Sequence, residues 1–326
     1  MKIITASQVK QLLPMADCID AMAVAQAAAS AREMIAPQRI FIHLPNGRDL
    51  LGAMPGISPN PAIYGAKIIS LHPDNPIQGR PAIQGVVILF DYQTGATVAT
   101  IEAASITAIR TAAASGLATR LLAREGVDTL GILGYGVQAE THIEAVLSVR
   151  PNIESIIVWG RSSEKAVAFA AAQSQRTGIP VSAGTSQQAS ECDVVCAVTG
   201  SQEPVIKGAW LKAGTHINLV GAHDPAHREM DSKGISKASV FVELTFAAMK
   251  EAGDLLIPIS EGDFSPDQIS GEIGDVVAGR SAGRLSDAEI TIYKSLGNVT
   301  QDLVAAELVY RRACEQGIGE QVDMLV

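Results

Sequence analysis

A chain of 326 residues with 47% hydrophobic content is long enough for about two domains, each with its own core. Its net charge of −9 and the lack of a Lys/Arg cluster argue against a nucleic acid or an anionic membrane as partner. No apolar run approaches the roughly 18 uncharged residues of a membrane span, and the Met1-Lys-Ile-Ile start lacks a signal peptide's arrangement, so the expected location is cytoplasmic.

Residues 7–34 are Ala-rich and helical in period, with Pro14 placed to begin a second helix as its first residue. From Arg39 to Ile101 the pattern changes to short β-type runs at 39–43, 64–71, 85–91 and 97–101, separated by Pro, Gly and Asn clusters. These predict a mixed or antiparallel sheet. Residues 103–123 read as one long helix with so few charges that most of its faces must be covered by protein. Strands then alternate with helices: 127–133, 153–159, 194–198, 215–220 and 240–243 read as strands, and 164–175 as a helix. Such alternation predicts a doubly wound parallel sheet. A last helix is expected at 299–315. The expected fold is therefore α/β, a Rossmann-type doubly wound parallel sheet in residues 125–298 plus an α+β domain in residues 1–124 and 299–326.

The strongest single motif is Gly134-Tyr-Gly136-Val-Gln-Ala139, which fits G-x-G-x-x-A between a strand and a helix. Gly134 suits a tight turn, Gly136 lets the backbone approach a pyrophosphate, and Ala139 keeps the helix close to the sheet. The helix N-terminus offers N–H donors to phosphates. Gly-rich turns also join strands to helices for packing reasons alone, but the flanking strand, helix and second strand favour a dinucleotide. That second strand ends Val158-Trp-Gly160-Arg161-Ser162-Ser163, with no acid where NAD-binding folds place one for the ribose 2′-hydroxyl. Arg161 and Ser162 suit a 2′-phosphate, so NADPH is the expected cofactor, with NADH possible. The competing reading of Arg161 is a turn residue in solvent. Cys18, Cys192, Cys196 and Cys314 are scattered, and Cys192 and Cys196 read as packing beside a buried strand, so no metal is expected.

Three cations in the first domain stand out. Lys67 lies in an otherwise apolar strand, where an unpaired ammonium is costly to bury. Arg110 lies mid-way along the low-charge helix without an acid at i±3 or i±4, and Arg39 opens the first β run. They either snorkel to solvent or pair with distant carboxylates, or together they bind the carboxylate of a small substrate.

The pieces Tyr64-Gly-Ala-Lys67-Ile-Ile-Ser-Leu-His-Pro-Asp-Asn-Pro, Gln84-Gly-Val-Val-Ile-Leu-Phe-Asp, Ile109-Arg-Thr-Ala-Ala-Ala-Ser, Leu133-Gly-Tyr-Gly-Val-Gln-Ala and Ile217-Asn-Leu-Val-Gly-Ala resemble the ornithine cyclodeaminase/mu-crystallin family. The resemblance runs in order from about Arg39 to Asp302. It implies that Arg39, Lys67 and Arg110 hold a substrate α-carboxylate. It implies that Gly134, Gly136, Val137 and Gln138 form the pyrophosphate turn, and that Gln84, Thr111, Thr199, Val220, Gly221, Ser295 and Gly297 lie near the cofactor. It also implies a homodimer built through the non-Rossmann, substrate-binding domain.

One departure bears on mechanism. Cyclodeaminase-type members carry an Asp after Val-Gly beside the nicotinamide, but here the row reads Val220-Gly-Ala-His223-Asp224-Pro225. His223 takes the matching place, either as a proton donor or as a polar loop residue, and joins Lys67 in the expected catalytic set. The implied activity is NAD(P)H-dependent reduction of a small cyclic imino acid, Δ1-pyrroline-2-carboxylate or Δ1-piperideine-2-carboxylate, to L-proline or L-pipecolate. The alternatives are ornithine cyclisation, alanine-type amino-acid dehydrogenation, and a non-enzymatic crystallin-like binding protein.

Overall fold

The computed structural model describes residues 1–323, so the last three residues of the expected first domain lie outside the described residues. In chain order the elements begin with β1 (Lys2–Ile4), α1 (Ala6–Leu12), α2 (Met15–Ser30), β2 (Ile40–His43), β3 (Leu50–Pro59), β4 (Ala62–Leu71), β5 (Ile83–Asp91), β6 (Thr97–Glu102) and α3 (Ala103–Leu122). Then follow β7 (Thr129–Leu133), α4 (Val137–Val149), β8 (Ser155–Trp159), α5 (Ser163–Thr177), β9 (Val181–Ala183), α6 (Ser186–Ser190), β10 (Val194–Ala197) and β11 (His216–Leu219). The remainder is α7 (Ser232–Ser236), β12 (Ser239–Val242), α8 (Thr245–Glu251), α9 (Gly253–Glu261), β13 (Ile269–Glu272), α10 (Ile273–Val277), β14 (Thr291–Lys294), α11 (Val299–Glu315) and β15 (Glu320–Gln321). Two compact units result, one of residues 1–110 with the chain from Gly297 onward, the other of residues 111–296; the division falls inside α3.

The first unit is built on a mixed sheet. Among the described residues its strand order is β15-β1-β6-β5-β4-β3-β2, with β1 parallel to β6 and the other pairs antiparallel. Helix α11 packs on β3, β4 and β5 and against α2. Its start is fixed by the Asn298 side chain, which accepts from Thr300 N at 3.1 Å. Three strands of this sheet escape the sequence pattern. β1 has three residues and β15 two, too few for a period, and β3 carries Pro55 and Pro59, which read as separators. The ladder explains how β3 tolerates Pro55. β2 pairs only with Leu50 to Ala53, and the Ile57 N–H, two residues on, points to that same side, where it meets Ile35 O. Pro55 therefore withholds an N–H only from an open edge. Pro14 is the N-cap of α2 rather than its first residue, and α2 stops at Ser30, short of Met34.

The second unit is the doubly wound half. Its strand order is β13-β12-β14-β11-β10-β7-β8-β9 among the described residues, all pairs parallel. Alternate residues feed two apolar layers, as strands covered on both faces require. Leu130, Ile132, Ile156, Val158 and Val194 meet Ile143 and Val146 of α4 on one side. Val195, Ile217, Leu219, Val240 and Ile292 form the other layer. Cys196 and Cys192 pack in these two layers separately, and burial pushes both thiols up to about 12. The strand order reverses beside β7, where β8 lies on one side and β10 on the other, and ligands of such sheets bind at the carboxyl ends next to that reversal. Among the described residues no single helix is long and apolar enough to cross a membrane.

Candidate active site

The first unit brings Lys67 and Arg110 onto one acid, with the Arg39 charge acting on Lys67. Ile40 pairs with Ala53 and Met54 with Lys67, so Arg39, immediately ahead of β2, falls on the row of β4 that carries Lys67. Its guanidinium lies 5.5 Å from the Phe41 ring centroid. From α11, Asp302 supplies the charge that the sequence around Lys67 and Arg110 lacks. Lys67 Nζ stands 2.7 Å from Asp302 Oδ2, and Arg110 Nε donates to Oδ1 at 2.9 Å. Arg110 Nη1 also donates to Gln301 Oε1 at 2.6 Å. The pairing with a distant carboxylate is real, yet Lys67 and Arg110 share the one carboxylate of Asp302, two cations on one acid. Burial pulls the Lys67 ammonium down to about 8, with Asp302 opposing and the Arg110 and Arg39 charges adding to the fall. Gln301 Nε2 is buried without a hydrogen-bond partner among the described residues. An unused donor in a positive, desolvated group suits an incoming carboxylate.

In the second unit the glycine turn lines a cleft of about 250 Å3 together with Trp159, Gly160, Arg161, Val198, Thr199 and the residues after it. Gly134 has φ +126°, and a Cβ there would lie 2.9 Å from Val198 O, so the turn needs glycine on both counts. Gly136 is the N-cap of α4 and no side chain caps that helix, while Val137 on its first turn is 66% exposed. Such an uncapped helix start suits a pyrophosphate. The Gln138 side-chain oxygen is buried without a partner among the described residues. His142, one turn on, bonds Gln138 O through Nδ1 and Ser115 Oγ through Nε2, and burial lowers it to about 4, so it is a neutral packing group. The missing acid at Gly160 has a steric cause: a Cβ there would lie 2.2 Å from the Tyr135 ring. Arg161 is exposed at the cleft, and Ser162 N-caps α5 by accepting from Lys165 N at 3.3 Å.

Two loops leave the carboxyl ends of neighbouring strands β10 and β11. The first carries Thr199 and the second carries Val220, Gly221 and His223. His223 is exposed, and its Nδ1 lies 3.0 Å from Gly221 O. A carbonyl only accepts, so Nδ1 carries the proton in that bond. Asp224 is occupied by its own turn, its Oδ1 accepting from Ala226 N at 2.8 Å. Among the other expected residues, Thr111 is buried in α3, while Gln84 is exposed on β5 of the first unit. Ser295 is buried and donates to Glu243 Oε1 at 2.9 Å. Gly297, at φ +75°, faces Arg110, whose Nη1 would lie 2.6 Å from a Cβ.

The profile of the ornithine cyclodeaminase/mu-crystallin family matches residues 1–317. The chain belongs to that family. It is 37% identical to a Δ1-pyrroline-2-carboxylate reductase of Bacillus cereus (strain ZK / E33L), over 99% of this chain and 100% of the relative. Its fold matches Thermococcus litoralis Δ1-pyrroline-2-carboxylate reductase in complex with NADH and L-proline, at TM-score 0.95 and 35% identity, covering 99% of this chain and 100% of that one. It also matches an archaeal alanine dehydrogenase dimer with bound NAD, at TM-score 0.93 and 31% identity, covering 100% and 99%.

For this family member, sequence reasoning missed several residues of the two centres. Asp302 had a legible signal, since it stands three residues after Val299 and four before Ala306, on the apolar face of α11. Trp159, Tyr135 and the buried Glu229 had none, because only the three-dimensional arrangement gives them neighbours in the cleft and its loops.

Proposed function

We propose that the protein is an NAD(P)H-dependent reductase of small cyclic ketimine carboxylates, converting Δ1-pyrroline-2-carboxylate or Δ1-piperideine-2-carboxylate to L-proline or L-pipecolate. The observation that carries this reading is the buried pair of cations, Lys67 and Arg110, on the single carboxylate of Asp302, with the half-buried Arg39 near enough for its charge to act on Lys67. Similarity to a reductase whose structure holds NADH and L-proline gives that group its substrate class. Arg110 and Arg39 offer planar donors to the carboxylate and Lys67 a point charge. Fixing the carboxylate also fixes the adjacent C=N carbon, because the two are directly bonded, and such positioning is worth several kcal/mol of barrier. A dinucleotide held by the turn of Gly134 and Gly136 would supply a hydride to that carbon, which would convert the protonated imine to a neutral secondary amine. His223 is assigned as the acid that keeps the imine nitrogen protonated, giving its proton from Nε2 while Nδ1 stays on Gly221 O. Chiral chromatography tests the whole conversion: L-proline must form from Δ1-pyrroline-2-carboxylate in step with NAD(P)H oxidised, and absence of turnover would sink the proposal in favour of a binding protein.

A second reading, amino-acid dehydrogenation, is favoured by the likeness to alanine dehydrogenase. It requires water to attack an imine. Asp224, whose Oδ1 accepts from Ala226 N, is the acid of the turn at 223–226, and release of ammonia from alanine with NAD(P)+ would decide for this reading.

The cofactor preference proposed here is NADPH over NADH. Arg161→Ala is expected to raise KM for NADPH more than for NADH, because a cation beside the cleft attracts only the phosphorylated ribose strongly. Equal effects on both, or a strong wild-type preference for NADH, would remove Arg161 from this role.

The assembly proposed is a homodimer through the first unit. Ile40, Ile42, Leu51 and Ile68 are exposed on one face of neighbouring strands β2, β3 and β4, an apolar patch that invites cover, and the archaeal alanine dehydrogenase relative is a dimer. Light scattering at micromolar concentration should give twice the chain mass, and a monomer there would contradict the assignment.

A further inference from the structure

Glu229 is fully buried and has no part in the reaction as described above. Its carboxylate accepts from two loops at once. On the loop after β10 it takes Thr199 N and Thr199 Oγ1, each at 2.7 Å. On the loop after β11 it takes Gly221 N at 2.6 Å and Ala222 N at 3.4 Å. Every one of these partners donates, so only the ionised acid, with lone pairs and no proton, satisfies them all. Burial and the neighbouring Asp254 push the Glu229 pKa up, which makes its retention as an anion a cost that the donors must offset. Behind it stands a second buried pair. Asp254 Oδ1 accepts from Glu229 N at 2.7 Å, and Asp254 Oδ2 lies 2.9 Å from Lys294 Nζ. Lys294 Nζ in turn donates to Ala222 O at 2.5 Å. The backbone just ahead of His223 is thus held at its N–H groups by Glu229 and at its carbonyl by Lys294. The two loops also touch: a Cβ on Gly221 would lie 2.0 Å from Thr199 O.

We propose that Glu229 is a positioning residue that clasps the Thr199 loop to the Gly221–His223 loop, setting both against the bound dinucleotide. The proposal rests on the reading of the neighbouring cleft as the dinucleotide site. Burying an anion with no reacting partner is expensive, and the one consequence visible in the fold is the fixed spacing of these loops.

Amide hydrogen exchange and cofactor titration of Glu229→Gln test it in the full-length protein. The carboxamide places an NH2 against backbone donors, so exchange at residues 199–201 and 221–223 should accelerate at least tenfold. Loss of charge-assisted bonds should raise the NADPH Kd, read by quenching of Trp159 in the cleft, by about tenfold or more. Exchange in the first unit should stay as in wild type, which general loss of structure would not allow. Glu229→Asp is one methylene shorter and should recover only part of the affinity. If Glu229→Gln fails to fold, Thr199→Val deletes a single donor to Glu229 and should still accelerate exchange at residues 221–223 of the other loop. Unchanged loop exchange in the variant that folds, or unchanged Kd in a folded Glu229→Gln, would overturn the clasp. A wild-type protein that binds no dinucleotide would overturn the functional reading instead, and loop exchange in Glu229→Gln would still decide the clasp.

Discussion

Arg110→Ala and Lys67→Ala are each expected to lower kcat/KM for the cyclic imino acid by about 2–5 kcal/mol, the usual cost of removing one partner from a desolvated charge pair. Part of the loss will come from Asp302, which stays buried with one cation fewer in either variant. The dinucleotide Kd separates the two effects, because the glycine turn belongs to the other compact unit and should bind as before. The trio also sets a pH limb. Lys67 is an ammonium below about 8 and loses its charge above that value. In the free enzyme the Lys67 charge is therefore fully present below about pH 8, and its loss should add a falling limb to kcat/KM as pH rises through that value. A bound carboxylate adds negative charge beside Lys67 and raises its pKa, so kcat should hold to higher pH than kcat/KM. Arg stays charged throughout, so Lys67→Arg should move the limb up in pH even if its geometry costs rate. Near-normal turnover in both alanine variants, or a limb unmoved by Lys67→Arg, would take these residues out of the site.

His223→Ala is the second large effect. If His223 gives the imine its proton, reduction should slow by roughly 10²–10⁴-fold, and the rise in rate toward acid pH that a protonated imidazole confers should flatten. The acid must be the imidazolium, because in the neutral ring Nδ1 holds the only proton and spends it on Gly221 O. Asp224 Oδ1 accepts from Ala226 N in its own turn. A variant that keeps both rate and pH profile would leave the proton to solvent and make His223 a loop residue.

The legible parts of the fold are those whose period and punctuation agree. α11 runs from Val299 to Glu315 as its pattern predicts, behind an Asn cap, and α3 announces its burial by carrying few charges. The parallel strands β7, β8 and β10 read as near-continuous apolar runs because both faces are covered, whereas β11 alternates the buried polar His216 and Asn218 with Ile217 and Leu219. β3 is hidden because local residue signals describe a turn, while the ladder that tolerates Pro55 is set by where β2 stops pairing. The same division holds at the site. The glycine turn and the three cations are visible one segment at a time. Asp302, Tyr135 and Glu229 act across 235, 25 and 30 residues of sequence on Lys67, Gly160 and Thr199, and only folding puts them there.

A preformed cyclic imine, held by its carboxylate, is the molecule to be reduced. One substrate profile decides it: NADPH oxidation with Δ1-pyrroline-2-carboxylate and Δ1-piperideine-2-carboxylate, set beside pyruvate with ammonia, and NAD(P)+ reduction with ornithine. The cyclic imino acids should give the highest kcat/KM, and ornithine should yield little or no proline. Efficient cyclisation of ornithine, or faster turnover of pyruvate with ammonia than of either cyclic imine, would contradict it.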